Sequence, residues 1–484
     1  MLLEFFLFAV YFGFFSWLTY KPNRNGVSQS KLLLPPGGEA IEIVTATPKE
    51  QVHNQPLVAV EVNLSNTIKN EYISSRLTSR QEVEENSNQL GRNELAIALG
   101  NQSRQNLKVE EIPTTSTEEL NYDNQIINEA VEQSRIAVVQ KIKEFVETKN
   151  NISGSYKPLY ELLTDYPFRI GKMLRPTMCI SVARSVGGMG QDALTSAAAL
   201  ELYHNAFLIH DDIEDGSESR RGKGTLHQII GIPRAINVGD ATNVLAVGLL
   251  LENLSAIGVS KALNVLHEIE FMAQQSVEGQ AMELDWVATN ASNLTDQDYF
   301  KMCVKKTCWY TFITPCRIGL IVGHPSASGK DLVKQLAGVT QFGMILGIAF
   351  QIQDDLLNLQ GQIETYGKEI GGDIYEGKRT LMLNHVLAQS GKAAEQILEI
   401  LALPREQKTP EHLAFIMEQM QRCGSIEHGW KVARSLAKKA EEIFDSLDFL
   451  RASTPLRPEE QWVCPVHDGR FIKELINYVI YRNV

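Results

Sequence analysis

The chain has few cysteines, and none of them is arranged for a metal or redox site. Six cysteines are scattered over 484 residues. They form no C-x-x-C pair and show no Cys/His spacing typical of zinc. Isolated thiols of this kind are typical of a protein that keeps its cysteines reduced. The sequence therefore favours a reducing compartment.

A surplus of positive charge is lacking as well. The chain carries 46 Lys and Arg against 58 Asp and Glu, a formal net charge of −12. Binding of nucleic acid without regard to sequence depends on a cationic surface, so no nucleic-acid partner is expected. Small anionic substrates are not excluded, because a local group of Lys and Arg is enough to bind a phosphate.

A long apolar run opens the chain. Residues 1–20 contain a single charge, Glu4, and about twenty apolar residues are enough to span a membrane as a helix. The basic start and small-residue cleavage site of a signal peptide are not evident. Lys21 and Arg24 follow, and the positive-inside tendency places the chain after them in the cytoplasm. We therefore expect a membrane anchor over residues 1–20, the alternative being an apolar terminus that is buried in the protein.

The rest of the chain divides into a polar segment and a helical one. Residues 21–116 are rich in Asn, Gln, Ser, Thr and Glu and predict a disordered linker, although the run Leu57–Val62 could pair as a strand. From residue 117 to residue 484, helical periodicity alternates with short Gly/Pro breaks, and strand signals are sparse. This pattern predicts an all-α domain of about ten or more helices. Its clearest helical stretches are Ile127–Glu147, Ala193–Asp212, Ala262–Val287, Thr295–Ile321 and Leu332–Leu357.

Two aspartate-rich clusters stand at the ends of two predicted apolar helices. In the first, helical spacing places on one face His204, Leu208, Asp211 and Asp215. In the second, the same spacing groups Gln351, Asp354, Asp355 and Asn358. Carboxylates this close repel one another unless a cation lies between them, and Mg²⁺ is the natural cation for a diphosphate ligand. Either cluster alone would suit a solvated helix end, but the pair favours a metal site.

Basic residues stand beside both clusters in the sequence. A glycine-rich loop, Gly367–Gly377, follows the second cluster and is bracketed by Lys368 and Lys378. Basic residues near the first cluster and between the two are Lys172, Arg175, Arg220, Arg221, Lys305 and Lys306. Glycine lets a backbone approach a phosphate closely, and Lys or Arg neutralises it. Each residue alone is typical of a solvated surface, but their position beside the acidic clusters indicates anion binding.

The order of the motifs resembles the trans-type isoprenyl (polyprenyl) diphosphate synthase family, which includes farnesyl and geranylgeranyl diphosphate synthases. The resemblance runs continuously from about Ile126 to the C-terminus. The motifs that carry it are, in chain order, GKMLRP (Gly171–Pro176), HNAFLIHDDIED (His204–Asp215), RRG (Arg220–Gly222), KT (Lys306–Thr307), FQIQDDLLN (Phe350–Asn358) and GKEIGGDIYEGKRT (Gly367–Thr380).

The resemblance implies a role for each of these basic and acidic residues. The diphosphate of isopentenyl diphosphate, the homoallylic substrate, would be held by Lys172, Arg175, His204 and Arg221. The allylic diphosphate would be held by Arg220, Lys306, Lys368 and Lys378. Three Mg²⁺ ions would be coordinated by Asp211, Asp215 and Asp354, with Asp212 and Asp355 as supports or further ligands. The reacting centre would be lined by Thr307 and Gln351.

The resemblance also implies a fold and a reaction. The fold is an antiparallel helix bundle around a central cavity, usually dimeric, so a homodimer is expected. Metals and cations would stabilise the charge on the departing diphosphate while the allylic C–O bond ionises. The double bond of isopentenyl diphosphate would then attack the allylic cation, and a proton would pass to the released diphosphate. This reaction needs no Ser, Cys or His nucleophile.

One residue departs from the family pattern. Asn358 closes the second cluster, where many relatives carry Asp. An amide oxygen can still coordinate a cation or order a water molecule, and some geranylgeranyl diphosphate synthases are similar here. We therefore expect an active protein in spite of this difference.

Product length is set in this family by the residues before the first aspartate. Ala206 leaves room at this floor, whereas Phe207 could block part of it, and Tyr203 lies a further turn down. We expect a C20 product, with C15 next and C25 or longer least favoured.

Two other functions fit parts of the pattern. A class I terpene cyclase on the same fold would also use an aspartate-rich cluster. However, Asp354–Gln360 (DDLLNLQ) lacks the spacing of a cyclase's second motif, and a cyclase has no use for an isopentenyl diphosphate site. A non-catalytic, membrane-tethered partner subunit would usually have lost the aspartates that this chain keeps.

Overall fold

The computed structural model describes nearly all of the chain after residue 123 and three short stretches before it. Described are residues 27–32, 41–46, 59–62 and 124–481, except 153, 170, 362–368, 454 and 461–466. The chain divides into two units, Met1–Arg104 and Gln105–Val484. The expected anchor over residues 1–20, most of the expected linker and Lys368 lie outside the described residues. The bounds of the three predicted segments therefore remain predictions.

The described part of the first unit is a three-stranded antiparallel sheet. Its strands are β1 (Val27–Leu32), β2 (Ile41–Ala46) and β3 (Ala59–Val62), in the order β1-β2-β3. Strand β3 lies in the run that could pair as a strand, and β2 is its partner. Strands β1 and β2 were not predicted, because each is a six-residue stretch inside a segment of mostly polar composition.

The second unit confirms the predicted all-α fold, since its regular elements within the described residues are helices apart from one two-stranded hairpin. The first elements are α1 (Asn124–Asn150), α2 (Lys157–Leu162), α3 (Asp165–Phe168), α4 (Leu174–Ser185), α5 (Gly190–Glu214), β4 (Ser219–Arg220), β5 (Lys223–Gly224), α6 (Leu226–Ile230), α7 (Ile232–Leu250), α8 (Asn253–Ala256) and α9 (Val259–Ala288). There follow α10 (Asp296–Cys303), a π-helical segment (Val304–Ile313), α11 (Thr314–Gly323), α12 (Lys330–Gln360), α13 (Gly372–Glu376), α14 (Leu381–Gln389), α15 (Ala393–Leu401), a 3₁₀ turn (Arg405–Gln407), α16 (Pro410–Arg422), α17 (Ser425–Ser446) and α18 (Gly469–Tyr481).

Helices α5 and α12 carry the two acidic clusters at their C-terminal ends. Helix α5 packs against α7, α4 and α1, and α12 packs against α17, the π segment and α11. The apolar side chains of α12, among them Phe342 and Leu346, are buried in the bundle. By length and composition, α12 and Ile232–Ala256 could also cross a membrane, but 56% and 44% of their most apolar windows are buried inside the bundle. Burial in the bundle accounts for the apolar composition of α12.

The helical stretch predicted over Thr295–Ile321 is real but is interrupted by the π segment. Its start is fixed by a capping box, in which Thr295 and Asp298 each accept from the other's backbone N–H. The π turns end just before Pro315 of α11. Pro315 has no N–H to donate to the carbonyl of Thr311, and its ring crowds that carbonyl in a regular α-helix. The wider π turn relieves this crowding, and such turns often occur at functional sites.

Gly279 lets α9 touch the π segment. A Cβ atom built on Gly279 would lie 2.2 Å from the backbone N of Lys306 and 2.6 Å from its Cα. No real side chain tolerates contacts this short, so any other residue would push the two backbones apart. The close approach therefore fixes Lys306 against α9.

We expect Gly279→Ala to lower the free energy of unfolding by about 1–3 kcal/mol, because the added methyl group overpacks a rigid contact. Gly248→Ala is the matched control, since a Cβ there would meet only the end of the Phe145 ring, at 3.4 Å. In a helix that change should leave stability unchanged or raise it by up to about 1 kcal/mol. Urea unfolding of both variants measures the difference. Equal stability of the two variants would contradict the packing described here.

Candidate active site

The first acidic cluster lies at the end of α5, and two lysines from distant segments reach it. Lys306 Nζ, from the π segment, lies 3.5 Å from Asp211 Oδ1. Lys378 Nζ, from the segment after α13, lies 2.7 Å from Asp215 Oδ2. The two aspartates are one helical turn apart, and each lysine offsets part of their repulsion. The structure thus brings together four of the predicted site residues.

Asp215 is a nearly enclosed carboxylate. Its side chain is 8% exposed, and burial raises its pKa to about 7, with Asp211 adding to the rise and Lys378 opposing it. Burial lowers the pKa of Lys378, but Asp215 and Glu376 outweigh that effect and hold this pKa well above its usual value. The charge of this part of the site is therefore balanced between carboxylates and lysines, and a bound ion would shift the balance.

Lys306 has a second partner, which the sequence did not reveal. Its ammonium group pairs with Glu283 of α9, a buried carboxylate. Burial lowers the pKa of Lys306, but Glu283 and Asp211 raise it more, so that it lies above its usual value. Lys305, by contrast, pairs with Glu278. Two acids on two helices thus hold Lys306 in its charged form.

Asp212 is buried, unlike its neighbour Asp211. Its carboxylate accepts a hydrogen bond of 3.0 Å from Arg220 Nε and one of 2.6 Å from Tyr166 Oη. A second nitrogen of the Arg220 guanidinium also donates to Asp212, and lies 3.7 Å from Asp211 Oδ2. Two hydrogen bonds from one guanidinium to one carboxylate fix the orientation of the guanidinium. Of the two roles expected for Asp212, support or further metal ligand, the arrangement favours support, with Arg220 as the residue it holds in place.

The second acidic cluster forms a hydrogen-bonded chain between the π segment, α12 and α10. Thr307 Oγ1 donates to Gln351 Oε1 at 2.8 Å, and Gln351 Nε2 donates to Asp355 Oδ1 at 2.7 Å. Tyr299 Oη donates to the other oxygen of Asp355 at 2.6 Å. Burial raises the pKa of Asp355 to about 7, although the hydrogen bonds from Tyr299 and Gln351 oppose the rise. Asp355 thus fixes Gln351, while Asp354 is half-buried beside it.

The basic residues predicted for the homoallylic diphosphate form a second group, which begins in the β4–β5 turn. Arg221 and Gly222 have φ of +54° and +74°, typical of a two-residue hairpin turn. Arg221 Nη1 donates to the Tyr166 carbonyl at 3.1 Å. A Cβ atom on Gly171 would lie 2.8 Å from Arg221 Cζ, so glycine makes room for this guanidinium. The segment that carries the exposed Lys172 is thereby placed beside Arg221.

The Tyr310 ring contacts the other two members of this group, Arg175 and His204. Arg175 Cζ lies 4.4 Å from the centroid of the Tyr310 ring, and the His204 ring stacks on it at 5.9 Å. Arg175 also donates to Thr311 Oγ1 at 2.8 Å. Tyr310 follows Lys306 by four residues in the π segment. One stretch of chain therefore contacts residues of both predicted diphosphate sites.

A buried acid, Glu201, offsets the charge of this second group. Glu201 is 1% exposed and accepts a 3.0 Å hydrogen bond from Asn205 Nδ2. Burial raises the pKa of Glu201, and the nearby Arg221 and Arg175 oppose that rise. In turn, burial lowers the pKa of Arg221, and Glu201 opposes that fall. The acid and the two arginines thus favour one another's charged forms.

The residues predicted to form the product-length floor lie together on α5. Ala206 and Tyr203 are buried, and Phe207 is half-buried. The Phe207 ring meets the Tyr310 ring edge-on, with centroids 5.7 Å apart, and lies 6.2 Å from the Tyr203 ring. The three aromatic rings form one wall, in which Phe207 lies one helical turn before Asp211 and Tyr203 a further turn before that.

The sequence missed the residues that hold the predicted ones in place, namely Tyr166, Glu201, Glu283, Tyr299 and Tyr310. Tyr166 and Tyr299 bind aspartates that lie 46 and 56 residues away in the sequence, and Glu283 binds a lysine 23 residues away. No local spacing connects such partners. Tyr310 and Glu201 had a signal, since each lies about one turn of helix from a predicted site residue.

The carboxylates fit a hard divalent cation that binds together with a substrate. Within the described residues, no three His, Cys, Asp or Glu side chains come together closely enough to hold a metal ion by themselves. Mg²⁺, however, usually takes one or two carboxylates and fills its shell with water and phosphate oxygens. Asp211 and Asp215, one turn apart beside two lysines, fit this form of binding.

Comparison with known proteins identifies the family of this all-α bundle with two acidic helix ends and two groups of cations. The polyprenyl synthetase family matches residues 157–420. A geranylgeranyl diphosphate synthase of Saccharolobus solfataricus is 33% identical over 301 residues, which cover 61% of this chain and 84% of the relative. An octaprenyl diphosphate synthase of Escherichia coli is 31% identical over 271 residues, which cover 56% and 78%.

Solved structures agree with this comparison. The structure of a polyprenyl synthase from Caulobacter crescentus, complexed with calcium and isoprenyl diphosphate, is 26% identical with a TM-score of 0.58, and the match covers 74% of this chain and 98% of that one. The chain belongs to the polyprenyl synthetase family, a family of prenyltransferases. The resemblance drawn from the sequence motifs is thereby confirmed.

Proposed function

We propose that the chain is a Mg²⁺-dependent isoprenyl diphosphate synthase, which joins isopentenyl diphosphate head to tail to an allylic diphosphate. The observation that carries the proposal is the presence of two groups of cations. Lys306 and Lys378 stand at the first acidic cluster, while Arg175 and His204 meet at Tyr310. An enzyme with a single diphosphate substrate would have no use for the second group.

The first group receives the allylic diphosphate. Lys306, Lys378 and Arg220 are already oriented by carboxylates, so little reorganisation is needed as charge develops on the leaving group. When the allylic C–O bond breaks, its electron pair leaves with the diphosphate, and these cations stabilise it. Lys368 belongs to the glycine-rich loop Gly367–Gly377, which leads to Lys378, and lies outside the described residues. It keeps its expected role as a member of this group.

The second group holds isopentenyl diphosphate through Lys172, Arg175, His204 and Arg221. The double bond of isopentenyl diphosphate, bound there, attacks the allylic carbon. Formation of the new C–C bond leaves a positive charge on the other carbon of the former double bond. Loss of a proton to the released diphosphate restores a double bond. Thr307 and Gln351 are fixed by their mutual hydrogen bond and line this reacting centre.

Asp211, Asp215 and Asp354 hold Mg²⁺ in this proposal, and three ions are expected. Mg²⁺, when bound, supplies positive charge to the departing diphosphate. Two findings support the assignment: the pair of carboxylates one turn apart on α5, and the calcium bound with isoprenyl diphosphate in the Caulobacter crescentus relative.

A homodimer and a membrane anchor complete the proposal. An apolar, exposed face of α7 supports a second copy of the chain as partner, and includes Ile232, Ile236 and Val244. The apolar run of residues 1–20, followed by Lys21 and Arg24, supports an anchor with the catalytic domain in the cytoplasm. An anchor of this kind would keep the enzyme close to a membrane into which its apolar product can partition.

The first test is condensation by the full-length protein with Mg²⁺, labelled isopentenyl diphosphate and an allylic primer. We expect Asp211→Ala to lower kcat by about 10²–10³-fold, because it removes both a metal ligand and the partner of Lys306. The control is Asp448→Ala, whose side chain is 89% exposed and pairs only locally with Arg451. Full turnover by Asp211→Ala would contradict the metal site.

The same assay separates the alternatives. Hydrocarbon released from an allylic diphosphate alone would show a terpene cyclase. No turnover by the wild-type protein, together with activation of a second synthase, would show a partner subunit. Incubation with both isopentenyl diphosphate and the allylic primer supports the synthase if it gives a diphosphate longer than the primer.

For product length we propose C20 over C15. The support is the small Ala206 beside Phe207, whose ring closes against Tyr310. The named relatives include both a geranylgeranyl and an octaprenyl diphosphate synthase, so family membership alone does not decide between lengths.

We expect Phe207→Ala to lengthen the main product by at least one isoprene unit, because removal of the ring opens the aromatic wall. Product mass after incubation with isopentenyl and farnesyl diphosphates measures this. Phe168→Ala is the control, since that ring is 40% exposed on α3 and should leave the product unchanged. An unchanged product from Phe207→Ala would show that the floor lies elsewhere.

A further inference from the structure

We propose that Asn358, the residue that departs from the family pattern, is a positioning residue that holds the segment Glu369–Lys378 and thereby places Lys378 at Asp215. The inference rests on the proposed function in one respect only, the assignment of Lys378 to the allylic diphosphate. The contacts themselves do not depend on that assignment.

Asn358 binds the segment through three polar groups. Its Oδ1 accepts from the backbone N–H of Asp373 at 3.1 Å, and its Nδ2 donates to the carbonyl of Glu369 at 3.3 Å. Its own backbone carbonyl accepts from the N–H of Gly371 at 2.7 Å. The residue is only 4% exposed, so water does not readily replace these bonds.

The side chain must be an amide to make both of its contacts. An amide has an acceptor oxygen and a donor nitrogen, whereas an ionised carboxylate only accepts. Aspartate at this position could still accept from Asp373, but it would lose the donor to Glu369 and place a negative oxygen opposite that carbonyl. A buried carbonyl that loses its donor costs free energy. The difference from the family pattern thus has a structural consequence in this chain.

The backbone of the segment Glu369–Lys378 connects Asn358 to Lys378. Gly371 adopts φ of +75°, and a Cβ atom there would lie 2.8 Å from Leu413 Cδ1, so this turn requires glycine. The carbonyl of Asp373 accepts from the backbone N–H of Lys378 at 2.9 Å. Lys378 Nζ then lies 2.7 Å from Asp215. Asn358 and Lys378 are therefore joined through the two backbone groups of Asp373.

Arg405 also holds the segment Glu369–Lys378, through contacts with its side chains. The guanidinium of Arg405 pairs with Glu369 and lies 3.5 Å from Glu376, and its Cζ lies 5.7 Å from the centroid of the Tyr375 ring. Because the contacts of Arg405 do not involve Asn358, loss of the amide should shift the segment without detaching it. The expected effect is therefore on the position of Lys378, not on the fold.

The test is steady-state kinetics of full-length Asn358→Asp with Mg²⁺. We expect KM for the allylic diphosphate to rise about tenfold, because the hydrogen bond from Asn358 to the Glu369 carbonyl, which helps to position the segment, is lost. KM for isopentenyl diphosphate should change by less than about twofold, since no member of the second cation group touches this segment in the contacts described above. Asn253→Asp is the matched control, a fully buried Asn whose Nδ2 donates to Ser196 on α5.

Hydrogen–deuterium exchange of residues 369–378 without substrate gives a readout that needs no turnover. Asn358→Asp should exchange faster there than the wild type and Asn253→Asp. If Asn358→Asp fails to fold, Asn358→Ser carries the same comparison. Unchanged exchange, or an equal rise of both KM values, would overturn the positioning role. Faster exchange in a protein without synthase activity would support the positioning role and reject the proposed function.

Discussion

Two aspartates one turn apart at the end of a helix repel each other, and nearby positive charge favours the ionised form of both. At the end of α5, that charge comes from Lys306 and Lys378, which reach Asp211 and Asp215 from different parts of the chain. Burial opposes the charged form of Asp215 and raises its pKa to about 7, although Lys378 counteracts the rise. An arrangement of this kind is ready to exchange its partners when a cation and a diphosphate arrive together.

Much of the surrounding structure serves to deliver those two lysines. Lys306 is fixed by the contact of its backbone with Gly279 and by its pair with Glu283. Lys378 is fixed by the segment that Asn358 holds, and the next residue, Arg379, is buried and donates to the carbonyl of Ala291 at 2.7 Å. Lys306 is therefore held from α9, and Lys378 is held from α12 and from the chain just after α9. Movement of those elements relative to α5 would change the charge balance of the whole site.

The sequence predicted what depends on local spacing. The helix pattern located α5 and α12, and positions i and i+4 placed Asp211 and Asp215 on one face. What it could not predict are contacts between residues far apart in the chain, such as the bond from Tyr166 to Asp212. It predicted a continuous helix where the π segment lies, because the apolar pattern does not distinguish the two kinds of turn.

The second acidic cluster shows the same division between local and long-range information. The sequence grouped Gln351, Asp355 and Asn358 as neighbours on one helix face, which is where they lie. Their different tasks come from partners on other elements: Thr307 for Gln351, Tyr299 for Asp355 and the glycine-rich segment for Asn358. The roles of residues in one motif are therefore set by tertiary contacts, and a change from Asp to Asn has to be judged from those contacts.

The central claim is that the paired carboxylates and lysines of α5 form one site for a divalent cation together with a diphosphate. Isothermal titration of the wild-type protein with inorganic pyrophosphate, with and without Mg²⁺, tests it most directly. We expect affinity to increase by more than about tenfold when Mg²⁺ is present, because the cation offsets the repulsion between pyrophosphate and the two aspartates. Equal affinity with and without Mg²⁺ would contradict the account.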